Sequence, residues 1–416
     1  MPTAPRRLLS LVSSHRKVVL HWIVAAPLIA GGIFLSKHWD DTNYDLAVRY
    51  RIFQLLQSMV PREVRPNRVA IVQIGDREFW RGELAHRTPI KRDYLAKLIL
   101  ALDSAGPAVI AIDHNFRSPD PSGRMVEDPA YLKETEALLR AVDAVSARRS
   151  VVLPSSFDYR DFLNGRYRLD SAIYSQHAFN DNVSTGYTNL LLDLRRVPIT
   201  WRIQGLQDPA RSFSLAMALA VDPELPFPRR QEVQDRYVIL GRFEGLKDFR
   251  PISVDATDVL AQKDGAWRRV VKNRIAIIGA TCRKDGFALG DYVDSQATPA
   301  GIIPGVLVHA NYVEAWLNYR VIGLIPRWTS DALELLIALI ISWSFIGSRE
   351  RLRSLAITLL GTVFVSYVLL VNLNIFFDWY LPVLIAVLHG FVEQVIEWRR
   401  NARRFQAINP GTAADR

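Results

Sequence analysis

Four long apolar runs bracket one stretch of ordinary globular composition, and this segregation constrains the fold more than any motif. The runs cover residues 18–36, 328–347, 355–377 and 380–398, while 37–327 mixes short apolar runs with charged and turn residues. At about 1.5 Å per residue, each run comes close to crossing a hydrocarbon core of roughly 30 Å. Averaged over 416 residues the chain is 49% hydrophobic and 23% charged, which excludes a disordered polymer. A single cysteine excludes a disulfide scaffold. The formal charge of +10 would suit nucleic-acid binding, but Arg and Lys crowd beside the apolar runs, where membrane topology accounts for them. No nucleic-acid partner is expected. The sequence predicts an integral membrane protein with a large water-exposed insert.

The first run follows Arg6, Arg7, Arg16 and Lys17. It is longer than the apolar core of a secretory leader, and Lys37-His38-Trp39-Asp40 follows it in place of a small-residue cleavage site. An uncleaved anchor is expected. Further basic flanks are Ser348–Arg353 between the second and third runs, and Arg399–Arg404 after the fourth. Placing every short basic flank in the cytoplasm gives one consistent orientation. Residues 1–17 and 399–416 lie inside, 37–327 lie outside, and the protein sits in the inner (plasma) membrane. His21, Glu334, Glu393 and Glu397 fall near the ends of their runs, within reach of an interface or a basic flank, and do not form a midplane ion path.

Within the insert, Arg68–Ile74 reads as a buried strand, and Leu95, Leu98, Ile99 and Leu102 then recur at helical spacing. Gly106-Pro107 ends that helix and Ala108–Ile112 forms the next strand, completing a βαβ unit and therefore a parallel pair. A helix over 129–145 precedes a strand at 150–153; 237–240 and 274–278 are further strands, and 306–319 is a helix. The predicted class is α/β, a sandwich with a largely parallel central sheet, joined to four transmembrane helices. Asp76, Asp113 and Asp285 each follow a predicted strand, and open parallel sheets bind ligands at the carboxyl ends of their strands. Three carboxylates gathered there would suit a cation, an amine or a sugar hydroxyl. Capping and turn closure are the competing uses of each.

Catalytic signatures are lacking. Gly279–Gly286 holds glycines and a lysine without the order of a phosphate-binding loop, and no zinc-protease, serine-hydrolase or kinase motif occurs. No cofactor or metal site is expected, so the insert is not read as an enzyme. Cys282 has no partner within the chain and is expected to be buried. His309, a lone histidine, is expected to satisfy a turn or a neighbouring acid.

Taken in order, several segments of the insert resemble the type-two CHASE domain, an extracytoplasmic sensor module of bacterial cyclases and kinases. They are Tyr44-Asp45-Leu46 with Arg49, the VAIVQIGD run ending at Asp76, Pro89 with Arg92, and AVIAIDHNF around Asp113. Asp193–Pro198 is similar to the family's Asp-Gly-x-x-Arg-Arg segment without its glycine. Ser253–Leu260, the IAIIGATCRKD run, Thr298-Pro299 and Pro304–Asn311 complete the match. The resemblance implies one membrane helix before the domain, three after it and then a cytoplasmic output domain. Residues 399–416 are too few for such a domain.

The expected role is a membrane sensor or signalling subunit that detects an extracytoplasmic ligand and acts through a separate cytoplasmic partner, or as a homo-oligomer. The alternatives are a structural or protein-binding subunit of a membrane complex and, more distantly, an extracytoplasmic enzyme built on the acidic strand ends. A transporter fits poorly, because the four runs carry neither repeats nor midplane charges.

Overall fold

A computed structural model describes, apart from short interruptions and isolated positions elsewhere, residues 65–116, 129–157, 177–190, 196–201, 209–225, 237–324 and 351–376. Nearly all of the runs 18–36 and 380–398 and most of 328–347 lie outside the described residues. The chain divides into two compact units, Pro61–Ile322 and the combined segments Met1–Val60 and Gly323–Arg416.

In the first unit the strands that matter here are β1 (Val69–Ile74), β2 (Val109–Asp113), β3 (Ser150–Phe157), β4 (Val183–Tyr187), β5 (Arg196–Pro198), β6 (Tyr237–Leu240), β7 (Ser253–Asp255), β8 (Ile275–Ala280), β9 (Ser295–Thr298) and β10 (Gly301–Pro304). The helices that matter here are α1 (Arg92–Asp103), α2 (Pro129–Ser146), α3 (Phe213–Val221), α4 (Ala256–Leu260), α5 (Ala266–Val271) and α6 (Gly305–Leu317). The central sheet runs β7-β1-β8-β2-β3-β4 with every neighbouring pair parallel. A two-residue strand, Leu169–Asp170, adds antiparallel to the end of β3. The expected largely parallel α/β sheet is therefore present.

Period-two patterning explains the layers. Val69, Ile71, Val109, Ala111, Ile275 and Ile277 bury against one helical layer, formed by α3 and α6. Ala70, Val72, Ile74, Ile110, Ile112, Ala276 and Ile278 bury against the other, formed by α1, α2, α4 and α5. Strands covered on both faces read as continuous apolar runs, which is how β1, β2 and β8 look in sequence. The expected strand 237–240 exists but belongs elsewhere. β6 pairs antiparallel with β5, outside the central sheet, because its pairing edge meets Arg196–Pro198 rather than a parallel neighbour. The sheet is instead extended by β4 and β7, whose short, polar-interrupted sequences carry no strand pattern of their own.

α6 is apolar nearly all round, and every one of its residues is buried. Its thirteen residues span about 20 Å, matching a six-residue strand. Near its end the Glu314 carboxylate accepts hydrogen bonds from the N–H groups of Arg68 at 2.7 Å and Val69 at 2.9 Å, the start of β1. Asn311 accepts from the Glu244 N–H at 2.7 Å and donates back to the Glu244 carbonyl at 3.1 Å, while the Tyr312 hydroxyl donates to the Leu194 carbonyl at 2.8 Å. With its last turn fixed at the amino ends of the strands, the helix delivers its first turn to their carboxyl ends.

In the second unit, α7 (Arg351–Leu373) begins within the basic flank and ends before the strand Ile375–Phe376, four residues short of the run predicted to 377. Among the described residues no helix is long and apolar enough to cross a membrane. Where its side chains are described, α7 turns Leu360, Phe364 and Val365 outward, at 71%, 66% and 53% exposure, and buries Thr362 and Ser366.

Close packing at the first turn of α6 yields a testable consequence. A β-carbon on Gly279 would lie 2.4 Å from a Val306 methyl, whereas one on Gly75 would meet nothing within 4 Å. Gly279→Ala should therefore cost about 1–3 kcal/mol through overpacking, while Gly75→Ala leaves the thermal midpoint of the solubilised protein nearly unchanged.

Candidate functional site

The carboxyl edge of the sheet collects the chemistry. In register, Gln73 of β1, Gly279 of β8 and Asp113 of β2 lie side by side. Val306 of α6 rests on Gly279, so the first turn of that helix stands beside Asp113. One turn further on, His309 Nε2 lies 3.7 Å from Asp113 Oδ1, with side-chain exposures of only 5% and 12%. The imidazole also makes a backbone hydrogen bond to Thr188, just after β4, and meets the Phe213 and Tyr312 rings edge-on at centroid distances of 5.3 and 6.4 Å. The expectation that His309 would find a neighbouring acid agrees with this geometry.

Burial lifts the Asp113 carboxyl well above the usual carboxylate range, and the Asp294 charge nearby adds to the lift. Burial pushes His309 down to about 4 against the opposing pull of its Thr188 bond. His114, next after Asp113, is likewise pushed down to about 4 by burial, and its Nε2 is buried without a hydrogen-bond partner among the described residues. Asp294 sits at the mouth of this cluster. Its backbone carbonyl accepts from Gly305 N–H at 3.0 Å, and its carboxylate accepts from Gln296 Nε2 at 2.8 Å. Its carboxylate also packs so closely on Gly305 that a β-carbon there would come within 1.9 Å of it. Only glycine admits that carboxylate at the helix start.

The three aspartates singled out in the sequence have different settings. Asp113 is the last residue of β2 rather than the one after it, and lines the cluster. Asp76 lies past the end of β1 at the same sheet edge, two strand spacings or roughly 10 Å to the side. Its carboxylate accepts the Arg283 N–H at 2.5 Å, tying the loop after β1 to the loop after β8. Trp80 Nε1 reinforces that tie by donating to the Arg283 carbonyl at 2.9 Å, and the Arg283 guanidinium stacks on Tyr292 at 4.6 Å. Asp285 lies outside the described residues.

The peptide following Asp113 is held by a second network. Arg92, 3% exposed at the start of α1, donates to the Phe116 carbonyl at 2.7 Å and to the Thr135 hydroxyl of α2. Glu134 accepts from the Arg92 backbone N–H at 3.1 Å and pairs with Arg87 at 2.5 Å, while Arg87 covers the Tyr131 ring at 4.2 Å. Arg92 is thus a positioning residue for the loop that leaves β2. Asp294, His114 and Thr188 escaped sequence reasoning because none carries a motif, and only the fold brings them to Asp113. Among the described residues no group of three or more His, Cys, Asp or Glu side chains is arranged to hold a metal ion.

Cys282, two residues past the end of β8, is fully buried. Burial, with Asp76 alongside, pushes its thiol up to about 11. Because the thiolate is the reacting form, Cys282 should resist maleimide labelling near neutral pH in the folded protein and label fully once denatured. Rapid labelling of the native protein, followed by mass spectrometry, would contradict the burial.

Against known families, residues 19–348 match the model of the CHASE2 domain. No curated protein and no solved structure matches the chain.

Proposed function

The chain belongs to the CHASE2 family, a family of extracytoplasmic sensor domains, and on that premise we propose that it is a membrane-bound sensor acting through a separate cytoplasmic partner. The observation that carries this reading is the extent of the match, which begins inside the first apolar run and ends just past the second, enclosing the whole α/β unit. In this reading the four apolar runs are membrane spans, the unit Pro61–Ile322 faces away from the cytoplasm, and both termini face into it. The basic flanks support that orientation. The outward apolar and inward hydroxyl side chains of α7 support a lipid-facing helix, since small polar groups pack between helices in a bilayer. The Asp113–His309–Asp294 cluster, with Asp76 on a neighbouring loop, is the proposed input site, and Asp285 is retained as a candidate from the sequence alone. The sensory family and the absence of a nucleophile–base signature in the sequence both favour signalling over catalysis.

The docking surface proposed for that partner is Arg399–Arg404 with the residues after it. Their basic side chains would also meet anionic lipid, at about 1 kcal/mol each. Reporter fusions after Arg404 should read cytoplasmic and insertions near Asp170 should read external; the reverse pattern rejects the orientation. Deleting residues 401–416 should preserve membrane insertion while removing one specific copurifying protein. A truncated chain that inserts normally and retains every partner rejects the tail as the docking surface.

A further inference from the structure

We propose that the amino edge of the central sheet is a docking surface for the anionic headgroups of a bilayer, so that the unit lies on the membrane by that edge. The inference rests on the sensor reading in one respect, that the apolar runs span the bilayer. Its first support is where the chain enters and leaves the unit. Residues 65–68 lead directly into β1 at this edge. α6 ends there too, because Glu314 accepts the N–H groups of Arg68 and Val69. The unit closes at Ile322, shortly after α6 ends at Leu317, and an apolar run begins at Trp328. The few residues between Ile322 and Trp328 reach roughly 20 Å when fully extended. So short a connection keeps the amino edge close to the headgroups.

The second support is charge gathered from distant parts of the chain. Arg65 and Arg68 are exposed ahead of β1, Arg269 and Lys272 are exposed ahead of β8, and Arg148 is 59% exposed ahead of β3. Hydrogen bonds join these strand starts into one edge. The Ile275 N–H donates to the Arg68 carbonyl at 3.0 Å, the Asn273 N–H to the Gly106 carbonyl at 2.9 Å, and Arg149 Nη1 to the Pro107 carbonyl at 3.1 Å. Nearby acids are already engaged. Asp103 pairs with Arg148 at 2.5 Å and with Arg149 at 2.6 Å, so that trio keeps a net positive charge. Glu314 is buried against its backbone donors, and His177 holds Asp143 at 2.9 Å. Asp181, before β4, and Asp222 and Glu224, after α3, lie toward the β4 side, since α3 covers β3 and β4. The starts of β1 and β8 are left basic.

The opposite edge differs. There Arg77, Arg81, Arg283 and Lys284 stand among Asp76, Asp255, Asp291 and Asp294, and neither sign prevails. A bilayer presents phosphate groups as a dense plane, which suits guanidinium and ammonium groups spread along an edge. Docking by the amino edge holds Asp113 roughly 20 Å from the headgroups, the height of a six-residue strand, on the side turned toward the surrounding compartment.

Full-length protein in nanodiscs tests this, with nitroxide-labelled headgroups quenching a fluorophore placed through Ala147→Cys at the amino edge or Ala297→Cys at the carboxyl edge, both exposed positions. Cys282 is buried and does not take the label. Replacing part of the phosphatidylcholine by phosphatidylglycerol should raise quenching at position 147 several-fold and leave position 297 unchanged. Salt at about 1 M, where the screening length is near 3 Å, should abolish the rise. Arg269→Glu combined with Lys272→Glu should remove most of it. Arg81→Glu combined with Lys284→Glu, an equal charge change at the other edge, should preserve it. If the first pair fails to fold, Arg65→Glu, which lies ahead of the sheet, replaces it and should lower the rise. Quenching at 147 that ignores phosphatidylglycerol, a rise at 297 instead, or a full rise in the amino-edge variants would each overturn the proposal. Binding of soluble polyglutamate without a response to phosphatidylglycerol would assign the edge to an acidic protein and overturn it as well. The nanodiscs carry the same lipids in both leaflets, so these failures do not depend on which side the unit occupies, and the topology reporters decide the sensor reading separately.

Discussion

The Glu314 carboxylate, reaching from the last turn of α6 to the first two N–H groups of β1, is the interaction on which the site depends. Those N–H groups lie at the start of the sheet, and Asn318 donates to the second oxygen of the same carboxylate at 2.7 Å. Burial raises the carboxyl's pKa, opposed by the donors from Val69, Arg68, Asn67 and Asn318. A bond across 245 residues of sequence does more than add a kilocalorie or so. It sets the axial position of a helix whose length equals the height of the sheet, and thereby sets which residue of α6 meets which strand end. Moving α6 by one residue would rotate His309 by about 100° away from Asp113.

Two buried charged side chains near that edge show opposite treatments. Arg92 is enclosed but supplied with acceptors from Phe116 and Thr135 and stands beside Glu134, so its charge is distributed over a rigid network. Asp113 has the His309 imidazole at 3.7 Å and the Asp294 charge nearby. Burial and the like charge both raise its pKa well above the usual carboxylate range. The Arg92 guanidinium meets acceptors, whereas the Asp113 carboxyl meets a like charge. Such conflicts are expected where a protein must respond rather than merely stand.

How much of this could be read from sequence depended on whether the information was local. β1, β2 and β8 were legible because strands buried on both faces must be apolar throughout, and α1 because its leucines recur at helical spacing. β4 and β7 were not, since VSTGY and SVD acquire their places from β3 and β1 and not from their own composition. β6 was found as a strand but its sheet was not, because pairing direction is set by neighbours nearly forty residues away. At the site, Asp113 was legible through its position on an apolar strand. Its relation to His309 was not, since it arises only when Glu314 fixes the height of α6, and Asp76 gives no sign in sequence that it is engaged by the Arg283 backbone.

The same helix also governs what can leave the unit along the chain. After α6 ends at Leu317, Val321 and Ile322 pair with Leu240 and Ile239 of β6, and the apolar run begins at Trp328. β6 pairs in turn with β5, and Leu194, two residues before β5, accepts the Tyr312 hydroxyl of α6. The helix and the ladder that fixes its exit are therefore linked twice, once through the backbone and once through that hydroxyl. A flexible tether would dissipate a shift of α6 within a few residues. A paired one passes displacement onward, provided the cue binds two seatings of the helix unequally, since a ligand that does not discriminate between states moves neither.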